Sequence, residues 1–168
     1  MLIVLGGLPG TGKTTIAKIL AARHSASYLR VDEIEHALHS MAGFQRDIGP
    51  AGYVVAYALA LSNLGIGRHV VADCVNPVRE SREGWRHVGS RAGAFLLEVE
   101  VTCSDPAKHR RRVEDRQPDI AGFELPSWQS VQAHEYEPWT EPHLVVDTAL
   151  LDPAEAVAAI ERHINCSS

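Results

Sequence analysis

Leu2-Ile3-Val4-Leu5-Gly6-Gly7-Leu8-Pro9-Gly10-Thr11-Gly12-Lys13-Thr14-Thr15 is the stretch whose reading decides the fold. Four apolar residues run into a glycine-rich turn, and a helical pattern follows from about Lys13 to His24. Gly7, four residues, then Gly12-Lys13-Thr14 is the spacing of a phosphate-binding loop, here between a strand and a helix. Glycines let the backbone curl and aim successive N–H groups inward at a helix amino terminus, whose dipole favours anions. Gly7, Pro9, Gly10, Thr11, Gly12 and Thr15 are therefore read as the cradle for a nucleotide, ATP. Lys13 is placed to reach the β- and γ-phosphate oxygens, and the Thr14 hydroxyl to ligate Mg²⁺. The loop alone does not say whether the nucleotide serves transfer, signalling or mechanical work.

Outward from the loop, strand and helix alternate. Ser27–Val31 reads as a strand feeding a helix that begins at Asp32, and Pro50 opens an Ala/Leu/Val-rich helix to about Leu64. His69–Ala72 is a strand ending on Asp73, Arg79–Arg91 an amphipathic helix, and Phe95–Val101 a fourth strand. Pro106–Arg116 is a charged helix, Gln117–Pro126 a loop, and Ser127–Glu135 a short helix. Leu144–Val146 is a fifth strand before a helix over Pro153–His163. Short apolar strands separated by helices predict an α/β fold in three layers, a parallel sheet covered on both faces. Residues 1–168 are expected to form one domain.

Ligands of open parallel sheets bind beyond the carboxyl ends of the strands, so Asp32 and Asp73 should face the phosphate loop. Asp32 admits two readings. With Glu35 it makes a capping-box-like pair at a helix start; alternatively it is the base that orients an incoming hydroxyl. Asp73 ends the strand Val70-Val71-Ala72-Asp73, a place from which a carboxylate holds Mg²⁺, while an Asx turn before Asn76-Pro77 is the plainer account. Lys108, Arg112 and Arg116 are spaced to share one helix face. The helix and the segment after it, residues 106–136, read as a lid, with Arg112 and Arg116 neutralising charge on a transferring phosphoryl group. A solvated face with Arg110–Glu114 and Arg111–Asp115 pairs is the alternative. His36 and His39 lack a third metal ligand, and Trp85, Trp128 and Trp139 read as packing residues.

The chain has 168 residues, 45% hydrophobic and 22% charged, with a formal net charge of −5 that argues against a nucleic-acid partner. Cys74, Cys103 and Cys166 form neither a disulfide framework nor a zinc pattern, which points to a reducing cytoplasm. No signal peptide or membrane span is expected, and the protein should be a monomer or homodimer.

The phosphate loop, the Val31-Asp32 turn, the Ala72-Asp73 strand end, the segment from Cys103-Ser104-Asp105 through Arg110-Arg111-Arg112 to Arg116, and Leu144-Val145-Val146-Asp147-Thr148 together resemble the small bacterial P-loop kinases, also called AAA-family ATPases. The chain is similar to chloramphenicol phosphotransferase and zeta toxins, and more distantly to adenylylsulfate, gluconate, shikimate and nucleoside monophosphate kinases. The resemblance implies a five-stranded parallel sheet of order 2-3-1-4-5 and a lid after the fourth strand. It implies adenine held between Arg110 and Thr148, and an acceptor-side base at Asp32. Glu33 and Ile34 follow Asp32, so there is no Asp-x-Asp pair of the shikimate or adenylylsulfate type. The acceptor region Met41–Tyr57, with Arg46, Asp47 and Tyr53, matches no acceptor signature. The expected activity is γ-phosphoryl transfer to the hydroxyl of a small molecule, an antibiotic, sugar, nucleoside or other metabolite. A polynucleotide 5′-hydroxyl kinase and a non-catalytic nucleotide switch are the alternatives.

Overall fold

The computed structural model describes residues 1–41, 49–118, 122 and 125–167. Its centre is a five-stranded, all-parallel sheet of β1 (Leu2–Gly6), β2 (Ser27–Arg30), β3 (Val70–Asp73), β4 (Leu96–Thr102) and β5 (Leu144–Asp147). The strand order is β2-β3-β1-β4-β5, as the resemblance implied. All five residues of β1 are buried, because the strand has helices on both faces. Ile3 and Leu5 join α1 (Lys13–Arg23) and α7 (Pro153–Ser167) in one core, through Ile16, Leu20, Val157 and Ile160. Leu2 and Val4 join α3 (Ala51–Gly65) and α4 (Arg79–Ala92) in the other, through Ala56, Ala60, Trp85 and Val88.

Two boundaries near the site differ from the sequence expectation. The second helix, α2 (Val31–Ser40), starts one residue earlier than expected, since Val31 is core and β2 passes into the helix without a loop. Its cap position falls on Arg30, with no side-chain cap hydrogen bond, so Asp32 is not a helix cap. The charged helix α5 (Pro106–Glu114) opens firmly, Asp105 accepting from the N–H groups of Ala107 and Lys108, and Arg116 lies beyond its end. A reciprocal capping box does form, but at α7: Asp152 accepts from Glu155 N and Glu155 from Asp152 N, both at 2.9 Å. The short α6 (Trp128–Gln132) is capped by Ser127. Among the described residues, no helix is long and apolar enough to cross a membrane.

Candidate active site

Parallel registry brings the carboxyl ends of β1, β2 and β3 to one edge, and the phosphate loop leaves from there. Leu5 pairs with Asp73, and Asp73 with Arg30. The loop is held by its own backbone: Gly7 N donates to Val75 O, and the Thr11 hydroxyl to Leu8 O at 2.9 Å. Gly12 caps α1 with φ 98°, a left-handed conformation that few other residues adopt. Gly10, at φ 85°, lies where an added Cβ would stand 2.5 Å from Val113 Cγ2 of α5. Lys13 is buried, and its ammonium donates to Leu8 O at 2.9 Å. Burial pulls its pKa below the ordinary value, and the charges of Asp73 and Asp32 resist that shift.

A cleft of about 450 Å³ opens over the loop, lined by Gly10, Gly12, Lys13 and Thr14 on its floor. Asp32, Asp73, Val75, Arg112, Arg116, Thr148 and the apolar Leu151 and Pro153 also line it, and the Arg116 charge is felt by both Asp32 and Lys13. Pro9 and Thr15 also line it, whereas Gly7 and Thr11 do not and act as framework behind the loop. Thr14 and Asp73 thus meet in one cleft. A hydroxyl and a carboxylate are the oxygen donors a hard divalent cation takes, and Mg²⁺ ordinarily uses one or two protein oxygens beside phosphate and water. Among the described residues, no group of three or more His, Cys, Asp or Glu could hold a metal ion, and the Thr14 hydroxyl and Asp73 carboxylate are oxygen donors of the kind Mg²⁺ takes.

Asp73 is buried and accepts a 2.8 Å hydrogen bond from Tyr28 through Oδ2. The Asp32 side chain is 31% exposed, and burial raises its pKa, with Lys13 the strongest of the charges pulling it back. Glu35, one turn along α2, is pushed up to about 7 by burial and then by the Asp32 charge. Arg30, not marked by any motif, is buried within 3.9 Å of Asp73, 3.7 Å of Asp32 and 3.5 Å of Glu33. A lone arginine at a strand end carries no local signal; only the parallel pairing of β2 with β3 brings it beside Asp73.

The helix α5 is anchored rather than free. His109 is buried and donates from Nε2 to Pro9 O at 2.8 Å, since a carbonyl only accepts. Lys108 donates to Ala149 O. Arg112 donates to the Thr148 hydroxyl at 2.7 Å and to Thr148 O at 3.0 Å. That hydroxyl in turn donates to Thr11 O, joining the turn after β5 to the phosphate loop. The expected face of Lys108, Arg112 and Arg116 is therefore divided: the first two clamp the turn after β5. Arg110 is not in the cleft. It pairs with Glu114 at 2.8 Å, is 60% exposed, and borders a second cavity with Val113 and Trp128. Arg112, two residues on, is the arginine that faces Thr148, because a helix turns by about 200° over two residues. Arg46 and Asp47 lie outside the described residues. Trp85 is fully buried and Trp139 packs against Gly6.

The sheet order, the cradled loop and the carboxylates at the strand ends define a nucleotide-binding protein with the P-loop kinase fold. Residues 2–135 match the family described as an AAA domain, and the chain belongs to that family. Among solved structures it is similar to Chaetomium thermophilum Kti12 in complex with ADP-AlF3: 19% identity, 98% of each chain covered, TM-score 0.72. It is also similar to the Mycobacterium tuberculosis APS kinase in complex with AMPPNP and APS, at 20% identity over 98% of this chain and 96% of that one, TM-score 0.69. A gluconokinase from Sinorhizobium meliloti 1021 gives 20% identity over 99% and 96%, TM-score 0.64. No curated protein sequence matches the chain.

Proposed function

We propose that the protein is an ATP-dependent phosphotransferase that moves the γ-phosphoryl group to a hydroxyl of a small molecule, such as an antibiotic, sugar, nucleoside or other metabolite. One observation carries the reading. Asp32 stands in the cleft beside the phosphate loop while making no helix-cap hydrogen bond, so its carboxylate is left for chemistry. Lys13 binds the β- and γ-phosphate oxygens. Thr14 and Asp73 hold Mg²⁺, which supplies neutralisation of the phosphate charge. Asp32 orients the acceptor hydroxyl and takes its proton as the hydroxyl oxygen bonds to the γ-phosphorus. The bond from that phosphorus to the bridging oxygen breaks, and ADP leaves with the electron pair. Burial favours the role, because a carboxylate with a raised proton affinity is a stronger base near neutral pH. Arg112 and Arg116 offset charge on the transferring group, and Thr148 borders the base pocket.

The test is transfer from γ-labelled ATP across a panel of hydroxyl-bearing metabolites and antibiotics. Asp32→Asn is expected to bind Mg·ATP normally and to transfer about 10²–10⁴ times more slowly, the usual worth of a general base. Lys13→Ala is expected to fold and to lose turnover altogether. Wild-type transfer by a folded Asp32→Asn protein would remove Asp32 from the chemistry. Wild-type turnover by Lys13→Ala would sink the phosphotransferase reading.

A further inference from the structure

Between the two carboxylates of the cleft lies a cation that the chemistry above does not use. The Arg30 side chain is 1% exposed, at the last position of β2. Its Nε is 3.9 Å from Asp73 Oδ2, its Nη2 3.7 Å from Asp32 Oδ2, and its Nη1 3.5 Å from Glu33 Oε1. These distances are long for a committed ion pair. A buried charge costs heavily without partners, yet this one is shared among three acids from two elements, one of which, Asp73, is itself buried. The Tyr28 hydroxyl adds a second hold on Asp73, and it falls on the same oxygen, Oδ2. Both contacts therefore approach Asp73 from the β2 side.

We propose that Arg30, with Tyr28, is a positioning residue: it fixes the metal-side carboxylate of Asp73 and the acceptor-side carboxylate of Asp32 relative to each other. The inference rests on the phosphotransferase reading and adds a coupling to it. Asp73 is presented with one oxygen held and the other left for the metal. Asp32 is drawn toward the same guanidinium, so the two acids stand in one cleft with a cation between them. The Arg30 ion pairs run to carboxylates, so the proposal concerns carboxylate placement and is tested apart from nucleotide phosphate binding.

Three variants test it: Arg30→Met, Arg30→Lys and Tyr28→Phe, each checked for folding by thermal unfolding. The readouts are the affinity of a fluorescent ATP analogue without metal, the Mg²⁺ concentration that half-saturates the metal-dependent gain in binding, and kcat and KM for transfer. Residues that orient metal ligands are typically worth 10–100-fold in metal affinity or activity. Arg30→Met is expected to leave metal-free binding within about twofold, and to shift Mg²⁺ half-saturation and kcat by about 10–100-fold. Arg30→Lys should recover part of both losses. Tyr28→Phe should weaken the Mg²⁺ response alone, by a smaller factor. If Arg30→Met fails to fold, Arg30→Lys and Tyr28→Phe decide, and a wild-type Mg²⁺ response in both overturns the proposal. Loss of metal-free binding in step with kcat would also overturn it, since that marks general damage to the site. A wild-type protein whose nucleotide binding ignores Mg²⁺ would overturn the phosphotransferase reading itself, and this inference with it.

Discussion

Asp32-Glu33-Ile34-Glu35 and Asp152-Pro153-Ala154-Glu155 carry the same acid spacing at the start of a helix, and the two fold differently. At α7 the pattern becomes a reciprocal capping box, with Asp152 and Glu155 both exposed and each accepting the other's backbone N–H. At α2 neither acid caps. The difference lies in what precedes the helix. A turn over 148–150 and a bend at Leu151 lead to Asp152, which belongs to no strand or helix, and Pro153 follows at the first helical position, which it favours. β2 instead runs directly into α2, Arg30 takes the cap position, and the core residue Val31 fixes the helical phase. Asp32 becomes the second residue of the helix and its carboxylate is released to the cleft. A capping pattern caps only where the chain leaves room for a cap.

The largest expected effect separates the pair by function. Asp32→Asn should lower transfer by about 10²–10⁴ with little change in stability, whereas Asp152→Asn should leave transfer untouched. Equal transfer rates in the two variants would break the comparison. Next in size is stability: Asp152→Ala should destabilise the protein by about 0.5–2 kcal/mol, and Asp32→Ala by less, since only the first removes a cap. Denaturant unfolding of both variants measures it, and an equal loss would show that Asp32 caps after all.

The smallest effect sharpens the picture of the α2 acids through pH. Glu35 has a pKa raised from 4.5 to about 7, so the folded state holds its proton more tightly than the unfolded chain. The folded state then binds more protons between those values, and stability falls as pH rises from about 4.5 to about 7, then levels off. Glu35→Gln should flatten that slope in thermal unfolding followed against pH. A slope unchanged in Glu35→Gln would assign the titration elsewhere.

What the sequence makes legible is local or strongly periodic. The phosphate loop could be read because its residues are consecutive, and the apolar strands because their burial on two faces removes alternation. Asp73 could be placed because it ends such a strand. Arg30 and Tyr28 were missed because their partner is 45 residues from Tyr28 in sequence, joined to it only by strand pairing. That Arg112 rather than Arg110 meets the turn after β5 is illegible for a related reason: spacing identifies a face of α5 but not which face that turn will meet. The fate of Lys108 depends likewise on Ala149, 41 residues away.

Arg82 illustrates how such distant contacts shape the molecule. It is buried in α4 and donates to the carbonyls of Asn76, Pro77, Glu137 and Pro138, while its guanidinium lies 4.9 Å from the Trp139 ring centroid. These partners are dipoles and a π-face, not carboxylates. The contact therefore acts as a reversible cross-link across 55 residues of chain, one that contains no acid to protonate and no opposite charge for salt to screen. It staples Glu137 and Pro138 to the segment after Asp73 under conditions in which ordinary surface ion pairs let go.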